Sequence, residues 1–291
     1  MNSGADTTRI GVTDGAVRLW FEDRGDLNGP AVLLVAGQGG DCLAAWDDEF
    51  IAPLLELGFR VVRFDNRDSG LSSDTDSDEY TVEDLADDAL RVLEAVGVGS
   101  AHVIGHSMGG MVAQQLAIDH TSHVRSLTLI STSPDPAIAP PEPAYVAFFT
   151  AGVVGENSFE GFLEAAVQSA RLQAGRRWAF DEVSFRARAE KMLRLACRPE
   201  AAMRQLLAVF RSPARTEALR HVTVKALVLH GAEDPLLPKA HAYELATALP
   251  NADLIIMSGW GHIVPWGYWD FWLRPIIPHL EEAEREIEAT C

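Results

Sequence analysis

The sequence predicts an α/β fold, in which a twisted, mostly parallel sheet is flanked by helices and interrupted by a helical insertion. Short apolar, β-branched runs alternate with helix-like stretches, which is the pattern of a parallel sheet covered on both faces. The alternation stops from about Pro134 to Pro213 and then resumes. A chain of 291 residues is near the upper size for one hydrophobic core, so a single core with an insertion is expected.

Six apolar runs predict the strands of the sheet, which are Ala31–Ala36, Arg60–Phe64, Ala101–Gly105, Val124–Ile130, Val224–His230 and Ala252–Met257. A further run, Ala16–Glu22, alternates as a half-exposed edge strand does. Between the second and third of the six, Thr81 and Asp84 predict the start of a helix that ends at Gly97. This unit of strand, helix and strand predicts a right-handed crossover.

The predicted insertion follows a proline-rich segment, Ser133–Pro143, and contains helical patterns at Phe159–Leu172 and Arg186–Leu195. Its charge also differs, because residues 134–220 carry a net +2 and the rest of the chain −20. We therefore predict a core formed by residues 1–133 and 214–291, covered by a helical cap of residues 134–213. A separate, linked domain is the alternative, which is disfavoured because the strands on either side must share one core.

Composition narrows the class of protein. The chain is 47% hydrophobic and 23% charged, unlike disordered, collagen-like or coiled-coil sequences. A net charge of −18 would repel a phosphate backbone and anionic lipids, so we expect no nucleic-acid or membrane partner. The three cysteines lack C-x-x-C spacing, and no histidine pair has the H-E-x-x-H form, so no metal site is predicted. Without an apolar run of signal-peptide or transmembrane length, a cytoplasmic location is expected.

The sharpest motif is the pentapeptide GHSMG, which places Ser107 between Gly105 and Gly109. It follows a buried-strand pattern and precedes a helix-like stretch, which is the context of a nucleophile elbow. The glycines are expected because a Cβ at either position would clash with the neighbouring strand or helix. Such a turn exposes the serine Oγ at the carboxyl edge of the sheet, where open α/β folds bind ligands. Ser107 is therefore the predicted nucleophile.

A serine nucleophile requires a histidine base and an acid, expected downstream in the order serine, acid, histidine. Asp234 follows the predicted strand Val224–His230, and His262 follows the last predicted strand, so both belong at the same sheet edge as the serine. We assign Asp234 as the acid and His262 as the base. Asp135, after the strand that precedes the insertion, and Glu233, beside Asp234, are rival acids.

Stabilising a tetrahedral intermediate requires two N–H donors. One is expected from Met108, directly after the nucleophile, and the other from the glycine-rich loop Gly37–Gly40 (GQGG), with Gln38 as the backbone donor. The loop matches neither G-x-G-x-x-G nor a Walker sequence, which disfavours phosphate binding. The Asp65–Ser69 turn (DNRDS) contains acids and an arginine close enough to pair, so we expect salt bridges to brace it.

From Val32 to His262 at least, the chain resembles the α/β-hydrolase fold family. Within that family, Leu33–Gly37 followed by Trp46, Arg63–Gly70 and Ala101–Gly110 resemble segments of the aclacinomycin methylesterase family and related esterases of polyketide tailoring. The resemblance implies removal of a methyl ester by a Ser-His-Asp triad beneath a helical cap. Gln38 departs from many esterases, which carry a histidine there; the backbone donor is unaffected by this difference.

The residues together predict a cofactor-independent serine hydrolase acting on the carboxylic ester of a small-molecule substrate. C–C bond hydrolysis or perhydrolysis with the same triad is an alternative, and so is a ligand-binding module that has lost turnover. We place substrate selectivity in the insertion, because its aromatic residues can roof a pocket for an apolar or aromatic acyl group. These residues are Tyr145, Phe148, Phe149, Phe159, Phe162, Trp178, Phe180 and Phe185.

Overall fold

The computed structural model describes residues 7–77, 79–152, 158–177, 180–263 and 267–290. Eight strands form one sheet in the order β1-β2-β4-β3-β5-β6-β7-β8. β1 and β2 pair antiparallel and β2 is antiparallel to β4, whereas β3 to β8 run parallel to one another. The strands are β1 Thr7–Val12, β2 Trp20–Gly25, β3 Ala31–Val35, β4 Arg60–Phe64, β5 Ala101–His106, β6 Val124–Ile130, β7 Lys225–Gly231 and β8 Ala252–Met257.

The predicted mostly parallel α/β fold is confirmed. All six predicted parallel strands are present, with ends that differ by at most one residue. The edge-strand prediction Ala16–Glu22 is wrong in its bounds, because β2 runs from Trp20 to Gly25. β1 was not predicted, since it is exposed along nearly its whole length and so lacks the buried face on which a strand pattern depends.

Helices cover both faces of the sheet. Outside the insertion they are α1 Cys42–Ala45, α2 Asp48–Glu56, α3 Val82–Ala95, α4 Met108–Asp119, α9 Thr216–Leu219, α10 Ala240–Ala248 and α11 Trp269–Thr290. α3, α4 and α10 pack with Leu33 and Val35 on one face, whereas α2 and α11 pack with Val32 and Leu34 on the other. Alternate residues of β3 therefore enter two separate cores, as expected for a strand buried on both sides.

The predicted start and end of α3 are present. The Thr81 N–H donates to the Asp84 carboxylate at 2.8 Å, and Gly97 follows the helix with φ of +70°, a conformation that glycine adopts without steric cost. Among the described residues, no helix is both long enough and apolar enough to cross a membrane.

In the described part of the chain, four helices between β6 and β7 fall within the predicted insertion, residues 134–213. They are α5 Pro143–Gly152, α6 Phe159–Gln173, α7 Glu182–Ala196 and α8 Pro199–Arg211. The two helical patterns predicted from the sequence fall within α6 and α7. The ends of the segment meet at the core, because the Arg215 N–H donates to the Pro134 carbonyl at 2.9 Å.

The Asp65–Ser69 turn forms salt bridges, but with different partners from those expected. Arg67 pairs with Asp88 of α3 at 2.6 Å, and Asp68 pairs with Arg204 of α8 at 2.7 Å. The expectation that acids and arginine pair within the turn is therefore wrong. Asp68 has a φ of +66°, and its side chain is directed to α8 and away from its neighbour in sequence.

Candidate active site

Ser107 occupies the sharp turn between β5 and α4. Its φ is +54°, a conformation that a non-glycine residue keeps only when its surroundings hold it. Its N–H donates to Ile130 O at 2.9 Å, and Thr132 Oγ1 donates to its carbonyl at 2.7 Å. A Cβ at Gly105 would overlap the carbonyl of Gly109, and a Cβ at Gly109 would overlap that of Val35. The glycines therefore allow the close approach that the elbow motif implies.

The structure brings the three predicted side chains together. Ser107 Oγ lies 3.0 Å from His262 Nε2, and His262 Nδ1 lies 2.7 Å from Asp234 Oδ2. An ionised carboxylate only accepts hydrogen bonds, so Nδ1 carries the imidazole proton. Nε2 is then the acceptor, and Ser107 Oγ–H donates to it. The remaining oxygen, Asp234 Oδ1, accepts the N–H groups of Leu236 at 2.9 Å and Leu237 at 2.8 Å.

The rival acids are engaged elsewhere. Asp135 Oδ1 accepts the N–H of Ala137 at 2.8 Å. Glu233 accepts both the backbone N–H of Arg176, at 2.8 Å, and its guanidinium. Of the three candidate acids, Asp234 is the one whose carboxylate meets the imidazole.

Electrostatics keep the acid ionised and a second histidine neutral. Burial alone would raise the pKa of Asp234, but the His262 imidazole and the hydrogen bonds to its oxygens hold that pKa below its ordinary value. Burial and the adjacent His262 lower the pKa of His106 to about 4. His106 Nε2 lies 2.9 Å from the His262 carbonyl, so it donates there and supports the histidine loop.

The glycine-rich loop lies beside the serine. A Cβ at Gly37 would come within 3.4 Å of the Ser107 Cβ. The Gly40 N–H donates to the Gly37 carbonyl at 3.3 Å, so residues 37–40 form a tight turn. Met108 begins α4, where an N–H has no acceptor within the helix. Met108 thus follows the serine directly in sequence, and Gln38 lines the same cavity as Ser107. The role of their N–H groups as an oxyanion hole stays a prediction.

A cavity of about 960 Å³ lies above Ser107 and His262. The inserted helices and the α6–α7 connection contribute aromatic lining, namely Tyr145, Phe148, Phe149, Phe180 and Phe185. Phe159 and Phe162 are absent from its described lining, and Phe159 instead lies beneath the Arg194 guanidinium at 4.7 Å. Trp178, the eighth predicted aromatic, lies outside the described residues. In the part of the chain that the structure describes, no cluster of three or more His, Cys, Asp or Glu side chains has a metal-binding arrangement.

Comparison with known proteins identifies the family. The family model described as alpha/beta hydrolase fold matches residues 30–267. The chain belongs to the α/β-hydrolase fold family. The assignment of the fold and of the hydrolase class therefore rests on most of the chain, beyond the short motifs.

Relatives of this α/β hydrolase include a methylesterase. The chain is 30% identical over 274 residues to rhodomycin D methylesterase DnrP of Streptomyces peucetius, which covers 87% of this chain and 92% of that protein. Solved structures show the same fold at lower identity. An enol-lactonase from Burkholderia xenovorans LB400 has a TM-score of 0.77 at 22% identity, covering 94% of this chain and 100% of its own. The 2-hydroxy-6-oxo-6-phenylhexa-2,4-dienoate hydrolase of Rhodococcus sp. strain RHA1 has a TM-score of 0.73 at 20% identity, with the same coverages.

Sequence reasoning missed two contacts that the inserted helices of this hydrolase make with the loops of the site. The carbonyl of Gln173, at the end of α6, accepts the His262 N–H at 2.7 Å. The side chain of Gln205, in α8, accepts the N–H of Gly39 at 2.7 Å. Neither residue belongs to a motif, and each meets a partner about 90 or more residues away in sequence. No local pattern could have indicated these contacts.

Proposed function

We propose that this α/β hydrolase is a serine esterase whose triad is Ser107, His262 and Asp234. The observation that carries the proposal is the continuous hydrogen-bonded path from Ser107 Oγ through His262 to Asp234, which lies at the floor of a large cavity. Similarity to a methylesterase over most of the chain supports ester hydrolysis.

The geometry supports a two-step reaction. Ser107 Oγ attacks the ester carbonyl while its proton passes to His262 Nε2, which is already 3.0 Å away. The N–H groups of Gln38 and Met108 stabilise the oxyanion of the tetrahedral intermediate. Collapse breaks the bond to the alcohol oxygen, which takes the proton from His262. Water, deprotonated by the same imidazole, then attacks the acyl-enzyme and releases the acid and Ser107.

We propose that the substrate is a small-molecule ester, specifically the methyl ester of a bulky apolar or aromatic acid. Five aromatic side chains from the insertion line the cavity, and such surfaces favour flat or apolar groups over charged ones. A methyl ester needs little room on the leaving-group side, so the cavity volume is available to the acyl group. The name of the related rhodomycin D methylesterase agrees with this assignment.

Residues 134–213 are proposed to form a cap on a core of residues 1–133 and 214–291. The hydrogen bond between Arg215 and Pro134 closes the insertion at its base. Its helices supply aromatic lining to the cavity, whereas Ser107, Asp234 and His262 all come from core loops. This division assigns chemistry to the core and selectivity to the cap.

The proposal is tested by a panel of p-nitrophenyl esters of increasing chain length, together with methyl esters of bulky aromatic acids. Wild-type turnover of the aromatic methyl esters is expected, and Ser107→Ala should reduce kcat by about 10³-fold or more while leaving thermal unfolding unchanged. A fluorophosphonate should label Ser107, as mapped by peptide mass spectrometry. Turnover restricted to C–C or peracid substrates, binding without turnover, or labelling of another serine would each contradict the proposal.

A further inference from the structure

Gln205 joins the inserted helix α8 to the loop that carries Gln38. Its side chain is fully buried and uses both ends of its amide. Oε1 accepts the Gly39 N–H at 2.7 Å, and Nε2 donates to the carbonyl of Arg67 at 2.7 Å. The second bond fixes the orientation of the amide, so its oxygen faces Gly39. A buried amide satisfied at both ends is held rigidly, because losing either bond leaves a polar group without water or partner.

The bond to Gly39 acts on the shape of the loop. Residues 37–40 form a turn closed by the Gly40 N–H on the Gly37 carbonyl, with Gly39 at φ of +69°. A positive φ at the third position, preceded by a residue outside that region, defines a type II turn. Type I and type II turns differ by rotation of the central peptide, which here joins Gln38 to Gly39. Gln205 accepts the N–H of that central peptide and thereby opposes the rotation.

The residue before this peptide is Gln38, the proposed oxyanion donor. Its side-chain Nε2 donates to the Ala202 carbonyl of α8 at 2.7 Å, but this side chain is exposed, and exposed hydrogen bonds contribute less than buried ones. Gln205 is therefore the stronger attachment between α8 and the loop. The Gln38 N–H belongs to the peptide just before this one. A turn no longer held at Gly39 would relax through the backbone torsion angles of Gln38 and shift that N–H from the reacting oxygen.

We propose that Gln205 is a positioning residue that holds the oxyanion loop in its working conformation from within the insertion. The inference rests on the proposed esterase function, since it concerns an N–H that serves the oxyanion. It assigns part of the catalytic competence to a helix outside the core. Displacing a donor by about 1 Å can reduce turnover by about 10²-fold.

The test compares three variants by thermal unfolding, by kcat and KM for an ester substrate, and by the rate of fluorophosphonate labelling at Ser107. Gln205→Met keeps the volume and removes both hydrogen bonds. Gln205→Glu keeps an oxygen for the Gly39 N–H but loses the donor to the Arg67 carbonyl, and thermal unfolding measures the cost of that second change. Arg204→Met is the matched control, because it breaks the ion pair of the adjacent residue with Asp68 and leaves the oxyanion loop untouched.

We expect Gln205→Met to lower kcat and the labelling rate by about 10-fold to 100-fold with little change in KM. Gln205→Glu should recover most of that loss. Arg204→Met should change kcat by less than about threefold, because the ion pair of Arg204 with Asp68 does not involve residues 37–40. Equal losses of kcat in the Gln205→Met and Arg204→Met variants would show that the effect comes from a general loosening of α8. That result would overturn the inference. Unchanged labelling in Gln205→Met would also overturn it. Failure of the wild type to label at Ser107 would instead refute the proposed function.

If Gln205→Met does not fold, the comparison of Gln205→Glu with wild type still tests the inference. Gln205→Glu retains the acceptor for Gly39, so a labelling rate within about fivefold of wild type is expected. A loss of about 10²-fold in a Gln205→Glu variant that unfolds at the wild-type temperature would show that the acceptor does not set the loop conformation.

Discussion

Replacing Asp234 by asparagine tests the triad most directly, because the structure dictates how the new amide must lie. The position of Oδ1 receives two backbone N–H groups, from Leu236 and Leu237, at 2.9 and 2.8 Å. The amide oxygen must stay there, since an NH₂ group would face two donors. The NH₂ group then occupies the Oδ2 position and donates to His262 Nδ1. This places the imidazole proton on Nε2, which can no longer accept the proton of Ser107.

The magnitude follows from the alternative orientation. Turning the amide over restores the correct tautomer but leaves two buried N–H groups unsatisfied, at about 1–3 kcal/mol each. The resulting total of about 2–6 kcal/mol corresponds to roughly 30-fold to 10⁴-fold in rate. Retaining the wrong tautomer costs about 10⁴-fold in serine proteases. Asp234→Asn should therefore lose about 10³-fold to 10⁴-fold in kcat while the protein stays folded.

The assay is kcat for an activated ester, with thermal unfolding measured in parallel. Asp135→Asn is the control. In the wild type the Asp135 carboxylate accepts the N–H of Ala137, so this substitution should change kcat by less than about threefold. A crippled Asp135→Asn beside a mild Asp234→Asn would refute the assigned acid. The lowered pKa of Asp234 keeps it ionised from neutral into acidic pH.

Three further predictions concern the loop, the cavity and acid stability. Gln38→Ala should reduce kcat by less than about tenfold, since its backbone N–H remains; a loss of 10²-fold or more in folded protein would assign charge stabilisation to its side chain. Phe148→Ala should lower kcat/KM for a bulky aromatic methyl ester by about tenfold or more and leave kcat/KM for p-nitrophenyl acetate unchanged. Phe159→Ala is the control, because Phe159 lies outside the described lining of the cavity. Equal losses on both substrates would show that the cavity does not set selectivity. Burial lowers the pKa of His279 to about 4. As the pH falls, the unfolded chain therefore takes up a proton at His279 before the folded protein does. The free energy of unfolding should fall by about 3 kcal/mol between pH 7 and pH 4. Urea unfolding of His279→Gln should show a weaker pH dependence than that of wild type or of the exposed control His221→Gln, and an unchanged dependence would contradict this account.

The elements found from the sequence are those specified by neighbouring residues. The elbow depends on two glycines within five residues of one another, and the close approaches at Gly105 and Gly109 explain why the motif predicts the turn so well. The parallel strands are buried on both faces, so their apolar runs are unambiguous. β1 gives no such signal, because its side chains face solvent. Asp234 was assigned as the acid from its place after β7. Its place in the sequence could not show that its Oδ2 lies 2.7 Å from His262 Nδ1.

The contacts between the insertion and the site lay beyond sequence reasoning, and they change how the insertion is understood. α8 holds the glycine-rich loop through Gln205, and the end of α6 holds the histidine loop through the Gln173 carbonyl, which accepts the His262 N–H at 2.7 Å. An insertion that moved as a rigid lid would break both contacts and disturb the proposed oxyanion donor and the proposed base together. We therefore expect substrate entry to leave the ends of α6 and α8 in place. Removing the Gln205 attachment should therefore lower kcat, whereas substitutions at the cavity aromatics should change selectivity alone.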